Sequence, residues 1–281
     1  MTSRFKRTIG IVLAGVLALA VFAYAGVLTW FYFNQDDLLY PAKRDDTAPA
    51  AKGLADFTGV RIKTPDGETL AAWWAPPPSG GGVVMLLHGQ TGSLGSQNYI
   101  ATRSRDMAAA GFGVLAIDYR GYGGSTGRPS EAGLITDARA ASDFIKTSAP
   151  DAPIAIFGVS LGTGVAVALA AQVEESGLVL DSPFSSALHV AEQRYPWLPV
   201  ALLMRDTWDS AARIAAANAP LLLIHCDTDR TVPFAEGVAL FAAAKDPKTM
   251  VVLPGCAHIE IWDQAAKDKI LETLRAWFAA P

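Results

Sequence analysis

Short apolar runs, separated by polar or glycine-rich turns, recur along the chain from residue 58 onwards. Eight of these runs have the length and composition of strands, and the segments between them have helical patterns after the third run. The first two runs flank Pro65-Asp66-Gly67, which is typical of a hairpin turn. The pattern therefore predicts an α/β fold with a mostly parallel eight-stranded sheet that starts with an antiparallel N-terminal strand. The predicted strands are Thr58 to Lys63, Thr69 to Ala75, Val83 to Leu87, Val114 to Ile117, Ile154 to Phe157, Leu178 to Leu180, Leu221 to Ile224 and Met250 to Leu253.

A long uncharged segment lies near the N-terminus. Thr8 to Phe33 contains 26 residues without a charge, enough for a helix of ~39 Å, which spans a bilayer with some tilt. Three cations precede it within residues 1–7, and Trp30 to Phe33 form an aromatic end typical of a membrane interface. We therefore predict a single-pass signal anchor in the cell membrane, with residues 1–7 in the cytoplasm, a short tether over 34–53 and the remaining domain on the extracytoplasmic side.

A cleaved signal peptide is the alternative interpretation of this segment. Ala23-Tyr24-Ala25 resembles a cleavage site that follows a short apolar stretch. Cleavage there would leave a mature protein that begins with the apolar residues Gly26 to Phe33, which favours the anchor.

Composition is consistent with one domain after this segment. The chain has 281 residues, of which 51% are hydrophobic, so residues 54–281 can bury the core of a single α/β unit. The formal net charge is −4, and no basic stripe alternates with aromatic residues. Nucleic acid is therefore not an expected partner.

One short motif indicates a chemistry. Gly158 to Gly162 reads GxSxG, follows an apolar run, and precedes the small apolar residues Thr163 to Ala171, which predict a buried helix. A residue at such a strand-to-helix turn adopts strained backbone angles, and Gly158 and Gly162 leave the space for them. Ser160 is thus the candidate nucleophile. The alternative is a glycine-rich turn with a bystander serine.

A nucleophilic serine needs a base and an acid that orients the base, and in this architecture they follow in the order serine, acid, histidine. Among the four histidines, His258 lies in a loop after both a predicted strand and a candidate acid. Asp229 lies in the polar loop that follows the strand ending at Ile224. We select it over Asp227 because it lies further along the loop and has more reach toward the histidine loop. Turn-capping aspartates and a surface histidine are the alternative.

Two backbone amides are candidates for an oxyanion hole. Leu161 follows the nucleophile, and Gln90 lies in the loop after the strand Val83 to Leu87, so both N–H groups can turn toward Ser160. We interpret His88 in the same loop as a structural residue that braces the loop by hydrogen bonds.

Several motifs together resemble the α/β-hydrolase superfamily. They are His88-Gly89, Asp118 to Gly123, the elbow at Ser160, Asp181 to Phe184, the Asp229 loop ending in Val232-Pro233, and Gly255 followed by His258. The resemblance runs from about Gln35 to the C-terminus. It is closest to single-pass, membrane-anchored serine hydrolases, which include protein depalmitoylases and lysophospholipid lipases. It implies Ser160, Asp229 and His258 as a catalytic triad, whereas Cys226 stands where such proteins usually have glycine.

Residues 182–219 look like an insertion rather than a plain crossover between strands. The run Tyr195 to Met204 is too apolar for a solvated loop and predicts a small cap over the serine. A helix that packs its apolar face on the core is the alternative. The candidate acyl-pocket residues in this cap are Tyr195, Trp197, Leu198, Leu202 and Met204.

The chain has two cysteines, Cys226 and Cys256, one beside each of the acid and histidine loops. They follow the last two predicted strands, and neighbouring strand ends lie ~5 Å apart, so we hypothesise a disulfide. Two buried free thiols are the alternative. Two cysteines without clustered histidines do not form a ligand set, so no metal site is expected.

These features predict a serine hydrolase that cleaves carboxylic ester or thioester bonds in a small-molecule or lipid substrate through an acyl-enzyme, with no cofactor. No obligate protein partner is inferred. An amide or peptide hydrolase with the same triad is one alternative. A non-catalytic, membrane-tethered interaction protein on a hydrolase fold is another, although every triad position is filled.

Overall fold

The computed structural model describes residues 3–259, 261–262 and 264–279. Within these residues the strands run over Thr58–Lys63 (β1), Thr69–Ala75 (β2), Val83–Leu87 (β3), Gly113–Ile117 (β4), Ile154–Val159 (β5), Gly177–Asp181 (β6), Leu221–Cys226 (β7) and Lys248–Leu253 (β8). They form one eight-stranded sheet of order β1-β2-β4-β3-β5-β6-β7-β8. β2 pairs antiparallel with both β1 and β4, and all other neighbours are parallel.

The predicted sheet is confirmed, with strand ends that differ by one or two residues. β5 continues past the apolar run to Val159, and β7 continues to Cys226. The pairing extends because a ladder depends on backbone hydrogen bonds and not on apolar side chains. As a result, both strands reach almost to the residues that carry the candidate chemistry.

Helices cover both faces of the sheet. They run over Ser3–Leu39 (α1), Asn98–Ala109 (α2), Glu131–Ser148 (α3), Leu161–Ala170 (α4), Ala187–Arg194 (α5), Val200–Leu203 (α6), Ser210–Ile214 (α7), Phe234–Ala243 (α8) and Gln264–Phe278 (α9), with a 3-10 turn at Pro49–Lys52. Side chains of α3, α4, α7 and α8 pack in one core layer, and those of α2 and α9 in the other. Along β3, Val83, Met85 and Leu87 face the first layer, and Val84 and Leu86 the second. Alternation of this kind is expected for a strand buried on both faces.

α1 is longer than the predicted membrane segment. It spans 37 residues, and its apolar part is exposed and long enough to cross a membrane by length and composition. Residues 34–53, predicted as a tether, instead continue the helix to Leu39 and then pack on the domain. Tyr40 is buried in the core because its ring and its hydroxyl both find partners there.

Candidate active site

Ser160 lies at the sharp turn between β5 and α4. Its backbone angles are φ 51° and ψ −116°, a strained combination for a residue with a side chain. The predicted glycines are sterically required, because a Cβ atom at Gly158 would overlap the carbonyl of Gly162, and one at Gly162 would overlap the carbonyl of Leu87. The amide and the hydroxyl of Thr163 both donate to the Ser160 carbonyl, at 2.8 and 2.6 Å. The turn therefore holds the serine hydroxyl above the sheet.

The structure brings Ser160, His258 and Asp229 into one hydrogen-bonded series. His258 Nε2 lies 2.9 Å from Ser160 Oγ, and His258 Nδ1 lies 2.7 Å from Asp229 Oδ2. The carboxylate side chain is fully buried, whereas 17% of the His258 side chain is exposed. This arrangement can remove the serine proton and stabilise the imidazolium that results.

Asp229 is held as an anion by several donors. Its Oδ1 accepts from the amides of Thr231 and Val232, at 2.8 and 3.0 Å, and His225 Nε2 lies 3.5 Å from Oδ2. Burial by itself raises the pKa of Asp229, but the hydrogen bonds from His225 and His258 outweigh it and hold the pKa well below its usual range. The carboxylate is therefore ionised throughout the physiological range.

Asp227, the rejected alternative, has a different position. Its Oδ1 accepts from the Gly255 amide at 2.8 Å, and its own amide donates to Leu253 at 3.0 Å. The side chain thus ties the β7 loop to the β8 turn and does not orient His258.

Gln90 and Leu161, the predicted oxyanion-hole residues, line the same cavity as Ser160. Leu161 is the first residue of α4, so its N–H lies at the positive end of that helix. The Gln90 carbonyl accepts from Tyr122 Oη at 2.8 Å, and Gln90 Nε2 donates to the Leu38 carbonyl at 2.9 Å. These two contacts fix the loop where it borders the cavity.

His88 braces this loop and is not placed as a second base. Its ring is fully buried, with Nδ1 2.7 Å from the Gly89 carbonyl, and its own carbonyl accepts from Tyr119 Oη at 3.0 Å. Burial lowers the pKa of His88 to about 4, so the ring is neutral near pH 7.

Arg103, on α2, is a residue that sequence reasoning missed. Its guanidinium is fully buried, lies 2.7 Å from Asp181 Oδ2 at the end of β6, and donates to the Ile259 carbonyl at 3.2 Å. Ile259 follows His258 and has a φ of 59°. Arg103 therefore connects the strand beside the elbow to the histidine loop. The same helix also carries Arg105 and Asp106, so an arginine at position 103 gave no pattern of its own.

A cavity of about 390 Å³ lies over Ser160 and is mostly apolar. Three of the five predicted pocket residues, Tyr195, Leu198 and Met204, line it. Trp197 and Leu202 do not, which corrects that prediction: they are 55% and 85% exposed. The run contains only the single turn α6, so part of its apolar surface points away from the serine. A further wall of the cavity, which was not predicted, comes from α1 through Phe31, Gln35, Leu38 and Leu39.

Cys226 and Cys256 are joined in a disulfide, with Cα atoms 5.4 Å apart. The Thr228 hydroxyl also donates to the Cys256 carbonyl, at 2.7 Å. The two loops that carry Asp229 and His258 are thus linked covalently. Among the described residues, no cluster of three or more histidine, cysteine, aspartate or glutamate side chains could hold a metal ion.

Comparisons with known proteins agree with the fold. Residues 79–203 match a family model described as serine aminopeptidase, S33. The chain is 39% identical over 245 residues to the uncharacterized protein MT2364 of Mycobacterium tuberculosis, across 86% of this chain and 87% of that protein. It is 32% identical over 188 residues to the lysophosphatidylserine lipase ABHD12 of Xenopus tropicalis, across 59% of this chain and 47% of the relative. The solved Pyrococcus furiosus esterase PF2001 has a TM-score of 0.71 at 22% identity, covering 85% of this chain and 97% of that one.

A mostly parallel sheet with an antiparallel start and a serine elbow after β5 defines the class of the protein. The chain belongs to the α/β-hydrolase superfamily and is an esterase- or lipase-like hydrolase.

Proposed function

We propose that the protein is a membrane-anchored serine hydrolase that cleaves carboxylic ester or thioester bonds of acyl lipids. The observation that carries this proposal is the series Ser160 to His258 to Asp229, with contacts of 2.9 and 2.7 Å. Together with two amides beside the serine, it supplies a nucleophile, a base, an orienting anion and an oxyanion site.

The reaction proceeds in two steps. His258 Nε2 takes the proton as Ser160 Oγ attacks the acyl carbonyl, and the Gln90 and Leu161 amides bind the oxyanion. When the tetrahedral intermediate collapses, the proton passes from His258 to the leaving alcohol or thiol, and the acyl group remains on Ser160. Water, activated by His258, then releases the carboxylic acid and restores the serine.

An acyl-lipid substrate is supported by the cavity. Its lining is dominated by aliphatic and aromatic side chains from the cap and α1, and a volume of about 390 Å³ is that of a ligand-sized pocket. The relative from Xenopus tropicalis is named as a lysophosphatidylserine lipase, which is consistent with a single-chain lipid.

The proposed topology places residues 1–7 in the cytoplasm, residues 8–33 across the cell membrane and the catalytic domain, residues 54–281 with its cap at 182–219, outside the cytoplasm. The cations before the apolar segment favour this orientation. The Cys226–Cys256 disulfide favours it too, because disulfides persist in oxidising compartments.

The test is hydrolysis of an acyl-ester and thioester series by the full-length protein in detergent, compared with Ser160→Ala. Turnover should fall by roughly 10³-fold or more in that variant. Ser148→Ala, at the exposed C-terminal end of α3, is the matched control and should behave as the wild type. Full activity in Ser160→Ala would overturn the proposal.

Amide hydrolysis is the second candidate, because the matching family model is described as a serine aminopeptidase. The same panel, extended with aminoacyl amides, separates the two. Amide turnover that exceeds ester turnover at equal leaving-group pKa would replace the ester proposal.

A further inference from the structure

α1 and the cap form a continuous surface above the cavity. Phe31 of α1 packs edge-on against both Tyr195 and Trp197, with ring centroids 5.6 and 6.1 Å apart. Phe31 and Tyr195 line the cavity, whereas Trp197 lies outside it and is 55% exposed. The apolar lining therefore continues from the cavity to the outer surface along the contact between α1 and the cap.

Polar contacts fix the cap against α1 just beyond the apolar segment. Gln35 Nε2 donates to the Leu203 carbonyl at 3.1 Å, and the Arg205 amide donates to Gln35 Oε1 at 2.8 Å. Arg205 also pairs with Asp36 at 2.6 Å. One turn further on, the buried Tyr40 hydroxyl donates to Asp206 at 2.6 Å. The angle between the helix and the domain is thus set by the fold.

The tip of the cap lies alongside the apolar segment. The Tyr24 hydroxyl donates to the Trp197 carbonyl at 2.8 Å, and Tyr24 precedes Phe33 by nine residues, or ~13 Å along the helix. The apolar segment is ~39 Å long and the hydrocarbon layer ~30 Å thick. The helix is therefore ~9 Å longer than the layer is thick. Even if all of this excess length projects from the layer at the C-terminal end, Tyr24 still lies within the hydrocarbon.

This depth gives the Tyr24 contact a physical reason. A backbone carbonyl at the level of the hydrocarbon has no water to accept from and needs a donor within the protein. Leu202, on α6 of the same cap, precedes Leu203, whose carbonyl accepts from Gln35, and so lies at the interfacial end of this surface. It is 85% exposed, which is costly in water and favourable in lipid.

We propose that the acyl cavity is loaded sideways from the bilayer, through a rim formed by the Phe31 side of α1 and the cap residues Trp197 and Leu202. The inference rests on the proposed function and anchoring, and it identifies the ligand source as the acyl chain of a lipid already in the membrane. The anchor helix is then a wall of the substrate site as well as a membrane attachment.

The test uses the full-length protein in phosphatidylcholine proteoliposomes and compares Leu202→Asp with Val238→Asp. Val238 is an exposed apolar residue on α8, 44% accessible and outside the cavity lining. Hydrolysis of bilayer monooleoylglycerol should fall about threefold or more in Leu202→Asp, because the change removes an apolar side chain from the lipid-facing surface and adds a charge there. Hydrolysis of water-soluble p-nitrophenyl butyrate should change less than twofold in both variants, and Val238→Asp should hydrolyse both esters as the wild type does. An equal loss of hydrolysis of both esters in Leu202→Asp, or no loss for either ester, would overturn loading through the proposed rim.

A second measurement does not depend on activity. Because the native cysteines are joined, Leu202→Cys and Val238→Cys each present a lone thiol for a bimane label. Nitroxide lipids should quench the label at position 202 and leave the emission of the label at position 238 unchanged. Equal quenching at the two positions would contradict the proposed lipid-facing rim. A wild-type protein that cleaves neither ester would overturn the proposed function instead, and quenching at position 202 would still decide whether the cap contacts lipid.

Discussion

Asp229 carries the negative charge on which the base depends. Its carboxylate is buried and contacts His258, His225 and two backbone amides. A buried charge with this many donors stays ionised and holds His258 in one tautomer, with Nε2 facing Ser160. Removal of the charge should therefore lower the rate of hydrolysis strongly while it changes the packing around residue 229 little.

For Asp229→Asn we expect kcat to fall by about 10⁴-fold, because the amide favours the wrong histidine tautomer. Asp227→Asn is the matched control, since an amide oxygen can still accept from Gly255, and its kcat should change less than about twofold. Steady-state kinetics on one ester measure both. Similar losses in the two variants would contradict the assignment of Asp229.

The same carboxylate gives a pH dependence of stability with a defined sign. The native pKa of Asp229 is depressed below its unfolded value of about 4. Its contribution is therefore fully present above about pH 4–5 and is lost as the pH falls toward the native pKa. Urea unfolding measures the free energy of unfolding of the wild type and of Asp229→Asn. The difference between the two free energies should shrink from pH 6 to pH 3. A difference that is constant over this range would be inconsistent with a depressed pKa.

Arg103 donates to the carbonyl of Ile259, the residue after His258, and we expect it to act as a positioning residue. Arg103 Nη2 contacts both Asp181 and Ile259, and Arg103→Lys keeps the charge but replaces the planar guanidinium with a differently shaped and positioned ammonium group. We expect kcat per active site to fall about tenfold while KM changes less than twofold, since small misplacements of a base are costly. Active sites are counted by fluorophosphonate titration.

The control for this variant is Arg105→Lys, on the exposed side of the same helix. It should retain wild-type kcat. If Arg103→Lys has fewer active sites that react with the fluorophosphonate but a normal kcat per active site, the arginine has only a structural role and is not a positioning residue.

At the scale of elements, the loops after β7 and β8 form one unit. The disulfide, the Thr228 contact with the Cys256 carbonyl and the Asp227 contact with the Gly255 amide all link them. The two cysteines are separated by 30 residues, and closure of a loop of that length is worth ~3–4 kcal/mol in the chain-entropy model.

The double variant Cys226→Ala, Cys256→Ala should therefore unfold at lower guanidinium concentration than the wild type, by roughly 3 kcal/mol in unfolding free energy. Dithiothreitol should lower the wild-type midpoint to that of the variant and leave the variant unchanged. Activity should survive in the folded variant, because the two hydrogen bonds between the loops remain. Coincident midpoints for oxidised wild type and the variant would rule out a stabilising bridge.

The elements themselves were predictable because each has a local cause. Strand runs such as Leu221 to Ile224 have apolar periodicity, and the elbow at Ser160 has glycines that its geometry requires. Trp197 and Leu202 were misplaced because a sequence shows that a residue is apolar but not which way a short turn or helix directs its side chain. Arg103 was missed because its partners, Asp181 and Ile259, are distant in sequence.

At the level of the whole molecule, α1 and the hydrolase domain form one structure. Tyr40 is buried in the core, and Gln90 in the loop after β3 donates to the Leu38 carbonyl at the end of α1. The sequence predicted the membrane segment from hydropathy alone, but its role as a cavity wall depends on contacts between residues about 170 positions apart, such as Gln35 with Leu203. Such contacts leave no periodic signal.

Peptide mapping of fluorophosphonate-labelled protein tests whether Ser160 is a nucleophile activated by its contacts. We expect one phosphonyl adduct, on the peptide that contains Ser160, and no adduct in the Ser160→Ala or His258→Ala variants. A wild-type protein that stays unlabelled, or an adduct on any other residue, would contradict it.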